Sequence, residues 1–300
     1  MKTSWQIDSA ISLMLSSLVF SIALTSGFIW DDISTKKALV CELKQLEICL
    51  SKLPSSAREL LPNTQVIQMS LGGRAAMVLP LKHESVAGVL VTDFTKLPLK
   101  RSVNWGEGHF SLRLNRHDEL TYWHELGHLH AIEAVKNLNT EITSPYQHEW
   151  LADLYLVWRI ANETNSLSLA WQQYHRRNID VMANVEFMSH WSVPIMSQAL
   201  ARYSVTELQA FDSFDAFLAD FWPQIVNPSE DSLAEFSSLV QRTFGAGTVQ
   251  PLPEYMYWRK PALGHYLKPT LIKLMGQADA AQWLSEQSME QDTSSPAPRL

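Results

Sequence analysis

The chain of 300 residues carries 24 Lys and Arg against 31 Asp and Glu, a formal net charge of −7 that leaves no basic excess for a nucleic-acid surface. With 46% hydrophobic and 18% charged residues it has a globular composition, which excludes global disorder and collagen-like fibres. Two cysteines can neither staple a small disulfide scaffold nor build a four-cysteine zinc site, so any metal falls to the ten histidines and the carboxylates.

Between Ser9 and Trp30 no residue is charged, and the apolar run from Ile11 to Leu24 follows a short head bearing Lys2. That run is shorter than the roughly 20 residues of a bilayer span. Thr25, Ser26 and Gly27 then supply a small and polar stretch, so residues 1–27 read as a signal peptide removed on export. The alternative is a membrane anchor that Phe28, Ile29 and Trp30 extend to spanning length. Both readings place the remainder outside the cytoplasm, in a periplasmic or extracellular setting.

An oxidising compartment allows Cys41 and Cys49 to pair, and the surrounding residues give two competing pictures. Leu39, Leu43, Leu46, Leu50 and Leu53 recur at helical spacing. On one straight helix the two thiols lie about 12 Å apart and stay unpaired. A hairpin turning around Lys44 to Leu46 sets them opposite each other. The leucine spacing favours the helix.

Residues 28–115 read as an N-terminal α+β part. Short strands are predicted at Gln65 to Met69, Ala75 to Leu79, Val86 to Phe94 and Gly108 to Leu114, separated by Pro62, Gly72, Gly73, Pro80 and Pro98. From Asp118 the periodicity turns helical, with helices expected near 118–137, 145–162, 165–183, 193–203, 205–225, 229–243 and 262–287, the last broken near Gly276. Ser204 and Glu207 have the spacing of a capping box. Strands first and helices after define an α+β class: a small N-terminal sheet followed by a mainly helical part, 116–287. The tail 288–300, SMEQDTSSPAPRL, reads as disordered. The scattered tryptophans read as core and subsite packing.

The chemistry gathers at His124-Glu125-Leu126-Gly127-His128, inside the helical pattern DELTYWHELGHLHAIEAV. Residues four apart share a helix face, so both imidazoles reach one ion while Glu125 borders the same cavity. Composition alone yields roughly 0.02 such five-residue matches in a chain of this size. A catalytic zinc of this kind needs a third protein ligand and an open position for water. The next helical segment supplies it in His148-Glu149-Trp150-Leu151-Ala152-Asp153, with Ser144 and Pro145 placed as a helix start. Asp153, one turn beyond Glu149, can accept the free N–H of a ligating histidine.

HELGH with a downstream E-x-x-A-D resembles the gluzincin group of zinc metallopeptidases, thermolysin-like enzymes and prenyl-protease-like membrane peptidases among them; the resemblance covers residues 124–153. It implies one zinc held by His124, His128 and Glu149, with Glu125 as general base and Asp153 orienting a ligand. The several membrane spans of the prenyl-protease-like members are missing, so an intramembrane substrate is not implied. Such folds place an edge strand before the active-site helix; here that stretch is Trp105 to Leu114, which reads equally as a plain core strand.

A donor to the developing oxyanion is also required, and His190 and Tyr203 are the candidates. His148 competes with Glu149 as third ligand, but Asp153 at i+4 favours Glu149. His130 points elsewhere on its helix, and His83, His109, His117, His175 and His265 read as ordinary structure. The expected activity is hydrolysis of a peptide or protein substrate by an exported zinc endopeptidase. The alternative is a zinc-stabilised binding or scaffolding protein of the cell envelope that cleaves nothing; Glu125 separates the two, since a purely structural site needs no carboxylate beside the metal water.

Overall fold

Phe28–Ile33 (β1) and Lys36–Glu42 (β2) pair antiparallel, with Ser34 at φ 53° in the turn between them. They open the computed structural model, which describes residues 28–245 and 252–290. The chain is α+β and divides into two units at Leu97 and Pro98. The proposed signal segment and residues 291–300 of the proposed tail lie outside the described residues.

In the first unit β2 leads through a 3₁₀ turn at Leu43–Gln45 into the short helices Leu46–Leu50 (α1), Ser55–Arg58 (α2) and Thr64–Leu71 (α3). Ala76–Pro80 (β3) and Val86–Thr92 (β4) complete a sheet of order β1-β2-β4-β3, in which β2 and β4 run parallel. Every residue of β4 is buried, in keeping with its central place in the sheet and its near-continuous apolar run.

Two sequence expectations fail in this unit. The helix expected across the leucines is a strand, a turn and a helix: Ala38 to Cys41 are buried in succession within β2, and α1 folds back on it. Cys41 and Cys49 therefore stand 5.7 Å apart at Cα and form a disulfide, not the unpaired thiols the periodicity suggests. Leu39, Leu46 and Leu50 do share one core, but they reach it from different elements. The strand expected at 65–69 is α3. Asn63 caps it by accepting the Val66 N–H at 2.9 Å, and Ile67 and Leu71, four apart, are buried while Val66 and Met69 are exposed.

The second unit begins with the hairpin Lys100–Trp105 (β5) and Gly108–Arg113 (β6). Sequence reading missed β5, whose alternation is interrupted by charge, and grouped this hairpin with the N-terminal part. The helices His117–Asn137 (α4), Pro145–Thr164 (α5), Ser168–Ala183 (α6) and Val193–Arg202 (α7) follow. The helix expected at 205–225 is two, Val205–Gln209 (α8) and Phe214–Phe221 (α9), because Ser213 starts the second by accepting the Ala216 N–H. Glu230–Phe244 (α10), Lys260–Met275 (α11) and Gln277–Glu286 (α12) complete the unit, α11 and α12 parting at Gly276, φ 91°.

The local signals around the central pair hold. Ser144 accepts the Gln147 N–H with Pro145 in the first turn of α5, and Ser204 and Glu207 form the expected capping box. Trp150 and Trp191 are fully buried. One residue of the proposed disordered tail is packed: Met289 is buried, and Gly264 makes room for it, since a Cβ there would lie 2.0 Å from the Met289 carbonyl oxygen. Among the described residues no helix is long and apolar enough to cross a membrane.

Candidate metal centre

Gly127, in the middle of the motif, sets how closely α4 and α5 meet. A Cβ at this position would lie 2.8 Å from the Ala152 carbonyl oxygen and 3.1 Å from the Tyr155 ring. The bare backbone lets the helices cross tightly enough for side chains of one to reach those of the other.

Across that contact His124 and His128 on α4 face Glu149 on α5. One ligand atom from each lies within 4.8 Å of the others. Glu149 Oε2 is 3.4 Å from His124 Nε2, and Oε1 is 3.8 Å from His128 Nε2. Ligands of a tetrahedral ion at ~2.1 Å stand about 3.4 Å apart, so two imidazoles and a carboxylate at these separations fit a metal ion. This buried group could hold one. His148, the competing third ligand, is half-buried, with its ring 5.9 Å from that of His128, and lies outside the three-residue group.

Asp153 is fully buried and accepts four hydrogen bonds: from His124 Nδ1 and Gln173 Nε2 at 2.8 Å each, from Arg177 Nε at 2.7 Å, and from the Ser192 hydroxyl. Since a carboxylate only accepts, His124 carries a proton on Nδ1 and turns Nε2 toward Glu149.

Arg177 is the residue the sequence reading missed. It is 4% exposed, and its Nη2 lies 3.2 Å from Glu149 Oε2 and 3.4 Å from His124 Nε2. One signal was available: α6 reads SLAWQQYHRRNIDVMA, polar on every face, so a helix packed among apolar neighbours must bury some of that polarity. Gln172, Gln173, His175, Arg177, Asn178 and Asp180 are all buried.

The electrostatics follow from this packing. Burial opposes charge on His124, but Asp153 and Glu149 outweigh it and raise the imidazole to about 9. Burial and then the neighbouring His124 depress His128 to about 3, leaving a neutral ring. Burial raises Glu149, yet His124 and Arg177 more than reverse that and hold it well below the usual carboxylate range. Asp153 is likewise lowered against its own burial by Arg177 and His124. The group thus keeps both carboxylates ionised and concentrates positive charge between them.

The remaining expected site residues divide. Glu125 follows His124 on the same helix and is half-buried. His190 is brought to the group: its Nε2 stands 3.5 Å from Glu149 Oε1 and its side chain is 47% exposed, on the 3₁₀ segment Val185–His190. Tyr203 is not brought there. Its hydroxyl donates to Asp220 at 2.6 Å, and its ring packs on Phe211, Phe217 and Phe221. His130 stacks on Tyr155 at 4.3 Å. His83, His109, His117 and His175 bond to Ser56, Asn104, the Pro98 carbonyl and Thr270. Among the described residues β6 pairs only with β5, so the hairpin has open edges.

No family model, curated protein or solved structure matches the chain.

Proposed function

We propose that this chain is an exported, zinc-dependent metallopeptidase of the gluzincin kind, holding one zinc with His124, His128 and Glu149. The observation that carries the reading is the convergence of these three side chains within 4.8 Å, with the Nδ1–H of His124 on a fully buried Asp153. Nitrogen and oxygen donors of this mixture suit zinc. When bound, zinc lowers the pKa of a water and polarises a peptide carbonyl.

The chain's own residues do the rest. Glu125, beside His124, takes the proton of the attacking water and returns it to the leaving amine. Asp153 fixes the tautomer of His124, and Arg177 keeps Glu149 and Asp153 ionised. His190, half-exposed beside Glu149, donates from Nε2 to the carbonyl oxygen as that oxygen gains charge. The Cys41–Cys49 disulfide and the uncharged N-terminal run support export.

The test measures metal content and cleavage of casein on wild type and Glu125→Gln together. Wild type is expected to hold about one zinc per chain and to cleave, and the variant to keep the zinc and lose cleavage by at least ~100-fold. Equal cleavage by the two proteins overturns the mechanism. Zinc bound without cleavage by wild type replaces it with the reading of a zinc-stabilised binding protein.

A further inference from the structure

A pocket of about 460 Å³ opens between β6, the first turns of α6 and the end of α11, and none of the metal-site residues lines it. Its charged lining is cationic: Arg113 from β6 and Lys273 from α11, with no Asp or Glu. A second hollow of about 590 Å³ shares Arg113, Ser111 and Asn115 with it and adds Lys100 and Arg116, again with no acidic lining. Arg116 is engaged by Glu119. Among the described residues the side chains of Arg113, Lys273 and Lys100 have neither ion pair nor hydrogen bond. In a chain of net charge −7 with 31 acidic residues, cations left together without counterions around one space are against composition.

The walls are already built. Gln172 is buried and clamps the Asn115 backbone in both directions, accepting its N–H and donating to its carbonyl at 2.9 Å each. His175, 8% exposed, donates to or accepts from Thr270 Oγ1 through Nδ1. Burial, then the charge of Lys273, holds it down at about 4, so it lines the pocket as a neutral ring. Trp171 is half-buried and offers an aromatic surface beside the two cations.

We propose that this pocket binds a phosphate monoester carried on a sugar ring, with Arg113 and Lys273 meeting the phosphate and Trp171 the ring. Two unpaired cations match a dianion better than a single carboxylate, and a guanidinium fork fits phosphate oxygens. A sugar lies against an indole through its C–H face, and the pocket volume accommodates a hexose phosphate. The site is independent of the metal reading.

The test is isothermal titration of the full chain with glucose 6-phosphate, inorganic phosphate and glucose, repeated on the double variant Arg113→Gln, Lys273→Gln. Both residues are exposed, so the variant is expected to fold, which circular dichroism and an unchanged melting temperature verify. Glucose 6-phosphate is expected to bind at least tenfold more tightly than either phosphate or glucose, and to lose at least tenfold in the variant. No binding to wild type, or equal binding to a folded variant, overturns the site. Inorganic phosphate binding as tightly as glucose 6-phosphate overturns the assignment of the ring.

Discussion

The Nδ1–H of His124 meets Oδ1 of Asp153 at 2.8 Å, tying α4 to a residue 29 positions further along the chain. The contact fixes which nitrogen of His124 faces the cluster and places a full negative charge behind it. Because Arg177 shares the same carboxylate, histidine orientation and charge balance depend on one buried group.

Asp153→Asn is expected to lower zinc affinity by roughly 10- to 100-fold, since the amide no longer holds the Nδ1–H against an ionised acceptor. It also leaves Arg177 buried without its closest counterion, destabilising the fold by about 3 kcal/mol or more. Zinc titration and urea unfolding measure the two effects separately. Unchanged zinc affinity would remove Asp153 from the ligand-orienting role.

Gly127→Ala is expected to destabilise, although alanine is the better helix former by about 1 kcal/mol. The new Cβ would meet the Ala152 carbonyl oxygen at 2.8 Å, and a backbone atom cannot rotate aside. A loss of about 1–3 kcal/mol in denaturant unfolding is expected, together with weaker metal binding as α4 and α5 separate. A variant more stable than wild type would show that the helix contact is looser than described.

Acid should destabilise the fold well above the range where carboxylates titrate. Burial, then Lys273, depresses His175 to about 4 from an ordinary 6.5, so the unfolded chain takes up the proton first. The stability this neutral ring contributes is present above pH ~6.5 and is lost as pH falls toward ~4, on the order of 3 kcal/mol. His130, lowered to about 4 by burial and then Arg159, adds in the same direction. His175→Gln should flatten the fall in melting temperature between pH 6.5 and 4; an unaltered slope would refute the assignment.

Cys41→Ser with Cys49→Ser removes a bridge that closes a short loop, and a loss of roughly 2–3 kcal/mol is expected in the first unit. His124, His128 and Glu149 all belong to the second unit, so zinc affinity should not change. A drop in zinc affinity in the double-serine variant would contradict that expectation.

Much of the second unit could be read from residues alone, because its signals are local: the i,i+4 histidines, Ser144 before Pro145, the Ser204–Glu207 box and Gly276 each act within one or two turns. The first unit was misread where burial overrode periodicity. Leucines at helical spacing ran through a strand because β2 lies between β1 and β4, and only the sheet makes that position central. At the site, Glu149 and Asp153 were legible as a spacing, whereas Arg177 and Ser192 were not. Both reach Asp153 through tertiary packing over 24 and 39 residues, distances at which no short pattern operates.

The four donors on Asp153 come from α4, from two positions on α6 and from the residue that precedes α7, while Asp153 itself sits on α5. α4, α5 and α6 cannot part from one another without leaving buried Asp153 or Arg177 short of its charged partner, so opening any one of the three is costly. Amide hydrogens along α4, α5 and α6 should accordingly exchange with solvent at a common slow rate, as one block, while the exposed 3₁₀ segment carrying His190 exchanges ahead of them.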